Sequence, residues 1–312
     1  MPQKMINVIR FHEYGGPEAL KHERIPCPEP KDEEVLIRIH AAGVLPADWK
    51  LRQGLFKEVR SIRFPYIPGT SFAGIVEDVG AGVTNFRKGQ QVFGRSTTGT
   101  YAEYTVASTD FLVLKPHSIS FDEAATISGG AATAWRALMY DGELKAGDRV
   151  LVHGAAGGVG LFAVQFAKWK GAHVIGTASA ANVDFVRSLG AETVIDYTST
   201  SFEQVVQDVD LVLDTVGGET LERSWSVVKT GGTIVSLLEQ PSLEKAKGLG
   251  IKALKPSQLS TKEDLETIAH LFEEEIVKTF IARTFPLHEA GFAHELSQRG
   301  HGSGRIVLHI SD

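Results

Sequence analysis

The 312 residues include a single cysteine, Cys27. One thiol excludes an internal disulfide and cannot supply the thiolates of a structural zinc site. No apolar run approaches the roughly 20 residues a membrane-spanning helix needs. The opening residues, Met1-Pro-Gln-Lys-Met-Ile-Asn-Val8, lack the apolar stretch of a secretory signal. A cytoplasmic protein is therefore expected. There is no Lys- or Arg-rich block and the net charge is −6. Neither nucleic acid nor an anionic membrane is an expected partner. Repeats and low-complexity segments are also absent. A length of 312 residues suits two domains.

The segment Val150-Leu-Val-His-Gly-Ala-Ala-Gly-Gly-Val-Gly160 carries the most information. It reads as a buried strand running through a glycine-rich turn into a helix at about 159–170. Gly157, Gly158 and Gly160 remove side chains where backbone must approach a phosphate. The loop N–H groups, those of Ala156 and Val159 among them, and the helix dipole favour an anion there. Ala155 replaces the first glycine of the usual G-x-G-x-x-G dinucleotide pattern.

Strands at 173–178, 193–196, 209–214 and 232–237 alternate with helices near 182–189 and 202–207. That alternation predicts βαβ units and a parallel sheet. The first third is different: short, partly alternating strands at 35–40, 72–79, 91–93 and 101–106 suggest a compact β-barrel. Helical periodicity begins at Phe121 and runs to Met139. A helix over 262–274, a strand at 277–281, a helix around 288–298 and a final strand at 304–309 follow. The expected division is a barrel over 1–118, a nucleotide-binding domain over 119–274, and a return to the barrel over 275–312. Ligands bind beyond the carboxyl ends of parallel strands, so the site is expected between the domains.

Eight segments together resemble the medium-chain dehydrogenase/reductase superfamily, in its zinc-independent quinone oxidoreductase-like branch. They are Tyr14–Leu20, Ala41–Lys50, Ile67–Gly74, Ala132–Trp135, Val152–Gly160, Leu189–Tyr197, Asp214–Gly218 and Gly302–Leu308. The resemblance implies an α/β protein with a GroES-like β-barrel and a Rossmann domain. It also implies reduction of quinones, or of the C=C bond of α,β-unsaturated carbonyls, with a nicotinamide cofactor. Where zinc-dependent relatives have Gly-His-Glu, this chain has Gly69-Thr70-Ser71. The eleven histidines are scattered, and His288 and His294 are not spaced to share a helix face. No metal is expected.

The segment Gly176-Thr-Ala-Ser-Ala-Ala-Asn182 has no acid where NAD enzymes bind the ribose 2′-OH. Thr177, Ser179 and Asn182 are candidate cofactor residues, and NADPH is favoured over NADH. Ser179 and Asn182 can equally cap the next helix. By resemblance, Tyr197 lies by the adenosine phosphate, Thr133 near the nicotinamide amide, and Thr215 and Val216 by the nicotinamide ribose. Leu237 and Leu238 wall the ring, and Arg305 reaches a cofactor phosphate. Asp48, Trp49 and Lys50 match a pocket-lining segment of enone reductases, with Lys50 as donor to the carbonyl oxygen and Asp48 and Tyr66 as further catalytic candidates. Leu45 and Phe56 replace the Asn and Tyr of that pattern and make the substrate pocket more apolar. Three functions stay open: a metal-free NADPH-dependent quinone or enone reductase, an enoyl-thioester reductase, and a non-catalytic NADPH-binding sensor. A homodimer is expected from the resemblance alone.

Overall fold

The computed structural model describes residues 4–300 and 302–312. The chain opens with a hairpin of β1 (Met5–Arg10) and β2 (Lys21–Pro26). The long β3 (Glu34–Val44) follows, then α1 (Pro46–Arg52), β4 (Ser71–Val79), β5 (Gln91–Arg95), β6 (Tyr104–Ser108) and β7 (Leu112–Leu114). Nine of the eleven β3 residues are buried, all but Glu34 and Arg38, because β3 pairs with β4, β6 and the last strand of the chain. Val35, Ile37 and Ile39 point to one core with Phe72, Val76 and Leu112.

The middle of the chain begins with α2 (Phe121–Ala124) and α3 (Ala132–Arg136). A Rossmann-like unit follows: β8 (Arg149–Val152), α4 (Gly160–Trp169), β9 (His173–Ala178), α5 (Val183–Ser188), β10 (Thr193–Asp196) and β11 (Val209–Asp214). It continues through α6 (Glu219–Ser224), β12 (Val228–Ser236), α7 (Leu243–Leu249), β13 (Lys252–Leu254) and α8 (Lys262–Glu273). Its six strands are parallel in the order β10-β9-β8-β11-β12-β13. The order reverses between β8 and β11, so a crevice opens beyond their carboxyl ends. Val150, Leu151, Val152, Val212 and Leu213 are fully buried, as strands covered on both faces require. The chain then forms β14 (Ile281–Pro286), α9 (Ala290–Arg299) and β15 (Arg305–His309). β15 pairs with both β14 and β3, so the tail completes the barrel sheet.

Four expected elements differ. The helix over Phe121–Met139 is interrupted by π turns at Ile127–Ala131 and Ala137–Asp141. In the first of these Gly130 lies against the glycine-rich loop, where a Cβ would fall 2.6 Å from the Gly158 carbonyl oxygen. The helix at 202–207 shrinks to a single 3₁₀ turn, Phe202–Gln204, because Asp208 already turns the chain at φ +54°. The strand expected at 277–281 begins only at Ile281. Upstream of it, the Gln165 side chain takes both backbone groups of Lys278, at 2.8 Å each, and leaves nothing for a ladder. The strand expected from Tyr101 starts at Tyr104, since the Tyr101 backbone bonds Pro68 and Ile9 instead. The polar segment at 240–250 holds α7, with Ala246 buried beside Ile251 and Ala253 of the β13 region.

Candidate active site

The glycine-rich loop joins β8 to α4, and its glycines have separate roles. Gly154 has φ +67°, and a Cβ there would meet the Thr215 hydroxyl at 2.5 Å. At Gly160 a Cβ would lie 2.2 Å from the Gly154 carbonyl oxygen, so close packing of the turn on the helix demands glycine. A Cβ at Gly157 meets nothing closer than 3.2 Å. Among the described residues, the N–H groups of Ala156, Gly158 and Val159 donate to no group of the chain. α4 also begins without a side-chain cap. A row of free donors at the positive end of a helix is an anion cradle.

Arg305 of β15 reaches into this cradle. It is 4% exposed, and its Nη1 donates to the Gly158 carbonyl at 3.1 Å. Its Nε and Nη2 are buried without partners among the described residues. Burial lowers it to about 10, so it stays charged at neutral pH. A buried guanidinium with two orphan donors beside a glycine-rich loop fits a phosphate ligand. The residues present therefore fit a dinucleotide.

Ser179, Asn182 and Tyr197 meet at the end of β9. Neither Ser179 nor Asn182 caps a helix with its side chain. Instead Asn182 Nδ2 donates to Ser179 Oγ at 3.1 Å. Tyr197 is half-exposed, and its N–H binds the Ala178 carbonyl at 3.1 Å. Thr177 sits differently from expectation. Its hydroxyl lies beneath the loop, 3.1 Å from His153 Nδ1 and 3.4 Å from the Gly154 N–H. It supports the cradle rather than facing a ligand, because the strand alternation turns it inward.

Asp214, fully buried at the end of β11, organises the opposite wall. One oxygen accepts from the Val216 and Gly217 N–H groups at 2.9 and 2.8 Å, and the other from Ser236 Oγ at 2.8 Å. Its carbonyl accepts the Leu237 N–H at 2.9 Å. Thr215 Oγ1 donates to the His153 carbonyl at 2.7 Å. Val216 and Leu238 stay about half-exposed, at 48% and 41%, while Leu237 packs against the main core. Thr133 donates its hydroxyl to the Gly129 carbonyl at 2.5 Å.

The barrel contributes the start of α1. Leu45 packs on the π turn of the other domain, where a Cβ on Gly129 would lie 2.6 Å from its side chain. Asp48 is 5% exposed and caps α1 by accepting the Leu45 N–H at 2.8 Å. Burial, the largest influence, raises it to about 6. Lys50 is half-buried and has no acid partner among the described residues. Burial lowers its affinity for its proton, and the like charge of Lys255 adds to this. Lys255 Nζ itself binds the Leu238 carbonyl at 2.8 Å. The Tyr66 hydroxyl accepts from Arg60 at 3.2 Å, and burial raises it. Its ring packs edge-on against Phe11. Phe56 is half-buried in the turns after α1.

Several residues of the site carry no linear signal. Tyr101 and His294, from two distant parts of the chain, line up behind Asp48 and lead back to Arg52, one turn further along α1. His153 joins Thr177 to Ser224 inside the Rossmann unit. Asp214 was within reach: an acid closing an apolar strand is a candidate for buried backbone bonds.

Two family models match, described as "Alcohol dehydrogenase GroES-like domain" over residues 31–117 and "Zinc-binding dehydrogenase" over 189–308. The mouse (Mus musculus) quinone oxidoreductase is 34% identical, with 98% of each chain covered. The chain belongs to the quinone oxidoreductases of the medium-chain dehydrogenase/reductase superfamily. It is an oxidoreductase. The solved structure of the Coxiella burnetii quinone oxidoreductase matches at 36% identity and a TM-score of 0.90, covering 98% of this chain and 100% of that one. The Escherichia coli quinone oxidoreductase, solved with NADPH, matches at 30% and 0.89, covering 97% and 99%.

Zinc, which the second family description implies, does not fit these residues. Among the described residues no three His, Cys, Asp or Glu side chains converge. Ser71, in the segment where zinc-dependent relatives have Gly-His-Glu, donates to the Ala125 carbonyl at 2.6 Å and is buried. No helix among the described residues is long and apolar enough to cross a membrane.

Proposed function

We propose that this oxidoreductase uses NADPH to reduce quinones or the C=C bond of α,β-unsaturated carbonyls, without a metal. The observation that carries this is the cleft itself. A phosphate cradle with two orphan donors on the buried Arg305 lies beside Leu45 and Asp48 at the start of α1, which also carries Lys50; this wall offers one carboxyl and one ammonium, and among the described residues no group of three metal-ligating side chains. The names of the relatives and the NADPH bound to the E. coli protein point the same way. At the end of β9, the hydroxyl groups of Ser179 and Tyr197 and the Asn182 amide offer donors to a 2′-phosphate, beside the Asp196 carboxylate, which accepts the Ala180 N–H.

The bound nicotinamide supplies the hydride. The protein's own work is placement, exclusion of water and stabilisation of the anion that forms on the substrate. Val216, Leu237 and Leu238 form an apolar wall, fixed from behind by Asp214. Lys50, half-desolvated and without an acid partner, stabilises the developing enolate or quinol oxygen. The like-charged Lys50 and Lys255 also favour a second reading, an enoyl-thioester reductase whose carrier brings an anionic group. A homodimer, with β13 at the free edge of the parallel sheet as its seam, is part of the proposal.

The test is steady-state oxidation of NADPH, with NADH in parallel and chelator throughout, against an ortho-quinone, a para-quinone, a short-chain enone, an enoyl thioester and an aliphatic aldehyde. Turnover of a quinone or enone with NADPH, unaffected by chelator, is expected. Tight NADPH binding without turnover of any of them supports the sensor instead. Preference for the thioester supports the second reading.

A further inference from the structure

Behind Asp48 lies a buried chain of side chains that the hydride transfer does not use. Asp48 Oδ2 is 3.2 Å from the Tyr101 hydroxyl, and that hydroxyl is 3.0 Å from His294 Nε2. Arg52 Nε is 3.2 Å from His294 Nδ1. Arg52 is anchored in turn on the Gly15 carbonyl at 2.8 Å and on Gln298 Oε1 at 3.2 Å. Tyr101, His294 and Arg52 are fully buried.

The donor inventory fixes the direction of every bond. A guanidinium only donates, so His294 Nδ1 accepts and the ring carries its proton on Nε2. Nε2–H then donates to the Tyr101 oxygen. The single Tyr101 proton is left to point at Asp48, which as a carboxylate can only accept. The order is Arg52 to His294 to Tyr101 to Asp48. Because the far end is a guanidinium, the chain cannot carry a proton in from solvent. It can only orient Asp48 and set how readily that carboxyl ionises.

We propose that Arg52, His294 and Tyr101 are positioning residues that fix Asp48 as the proton donor of the cleft. This rests on the reductase function proposed above. Hydride addition leaves an anion on the substrate, and one proton from the Asp48 carboxyl completes the two-electron reduction. The resulting carboxylate keeps its Leu45 and Tyr101 donors and regains a proton from cleft water. Asp48 Oδ1 has no partner among the described residues and is free to face the substrate. The charged and titratable groups around Asp48 are Tyr101 from the barrel, Arg305 from β15, and Arg60 and Tyr66 from the segment after α1, with His294 one bond and Arg52 two bonds beyond Tyr101. Arg305 and Arg60 favour the carboxylate, and burial opposes it.

The experiment has two readouts. Carboxyl ¹³C NMR titration of the unliganded protein, with Asp48→Asn to assign the signal, is expected to place Asp48 well above ordinary aspartates. Tyr101→Phe removes one donor to the carboxylate and is expected to raise that titration by about one pH unit. In steady state with a substrate from the panel above, kcat/KM is expected to fall as pH rises through the Asp48 titration. That fall should move up by the same amount in Tyr101→Phe and vanish in Asp48→Asn. If Tyr101→Phe fails to fold, His294→Gln, which keeps a donor to Tyr101 but loses the acceptor for Arg52, is expected to shift both readouts the same way by less. An Asp48 titration in the ordinary range, or one unmoved by both variants, overturns the positioning chain. A pH fall that survives in Asp48→Asn overturns Asp48 as donor. Absence of turnover together with the expected NMR shifts overturns the reductase function, and with it Asp48 as donor, while the positioning chain stands.

Discussion

Replacing Arg305 by Met should stabilise the empty protein and weaken NADPH binding at once. The side chain is 4% exposed, with Nε and Nη2 lacking partners. Burial drives it to about 10 from the usual 12.5. At about 1.4 kcal/mol per tenfold, that is a charge penalty of about 3 kcal/mol. Met fills a similar volume without the charge, but it forfeits the bond to the Gly158 carbonyl, worth about 1 kcal/mol. The net gain of about 2 kcal/mol corresponds to a rise of about 4 °C in a chain of this size. The same substitution removes the charged donors expected on the cofactor phosphates, about 2 kcal/mol or roughly 30-fold in Kd. Thermal melts with and without NADPH read both effects. At a concentration 100 times the wild-type Kd, the ligand adds about 2.7 kcal/mol to the wild type and about 0.9 kcal/mol to the variant. An empty variant less stable than wild type, or an unchanged NADPH increment, would refute the assignment of those orphan donors to a ligand.

Three further outcomes are expected. Below about pH 6.5 the unfolded chain protonates His153 and His294, while burial keeps them neutral in the fold, His153 to about 4 and His294 to about 3. Stability should therefore be full above pH 6.5 and fall by about 4 kcal/mol by pH 5, less about 1 kcal/mol from Asp48, which acts oppositely; equal urea midpoints at pH 7 and 5 would count against this. Gly160→Ala drives a Cβ to 2.2 Å from a backbone oxygen and should abolish NADPH binding or folding, whereas Gly157→Ala, at 3.2 Å, should keep a native circular dichroism spectrum. Asp214→Ala should cost about 3 kcal/mol in denaturant melts through three lost bonds, and Asp214→Asn about 1 kcal/mol because it keeps the two backbone bonds.

The parallel sheet and the phosphate loop were legible because both rest on local pattern. Buried strands must be apolar throughout, and a backbone that touches a ligand must be glycine. The elements that misled are those where tertiary contacts replaced a local partner. Lys278 looked like a strand residue until Gln165, 113 positions earlier, took both its backbone groups. The helix from Phe121 kept its periodicity through two π turns because widening by one residue displaces the pattern only slightly. At the site, Asp48 and Lys50 came from a segment, but Tyr101 and His294 lie 193 positions apart and meet only through the closed barrel. Thr177 shows the limit of strand-end reasoning, since alternation decides which way a hydroxyl points.

Arg305 stands 147 positions after the Gly158 carbonyl it binds, on a strand that also covers the edge of β3. During synthesis the Rossmann strands, and the glycine loop with them, leave the ribosome well before β15. Until β15 emerges, the nascent chain carries a nucleotide cradle lacking its cationic side and a barrel with an open, apolar edge. Cofactor capture therefore waits for β15. A chain cut short before residue 305 would present both an incomplete binding site and a sticky strand edge, the combination that chaperones and proteases act upon.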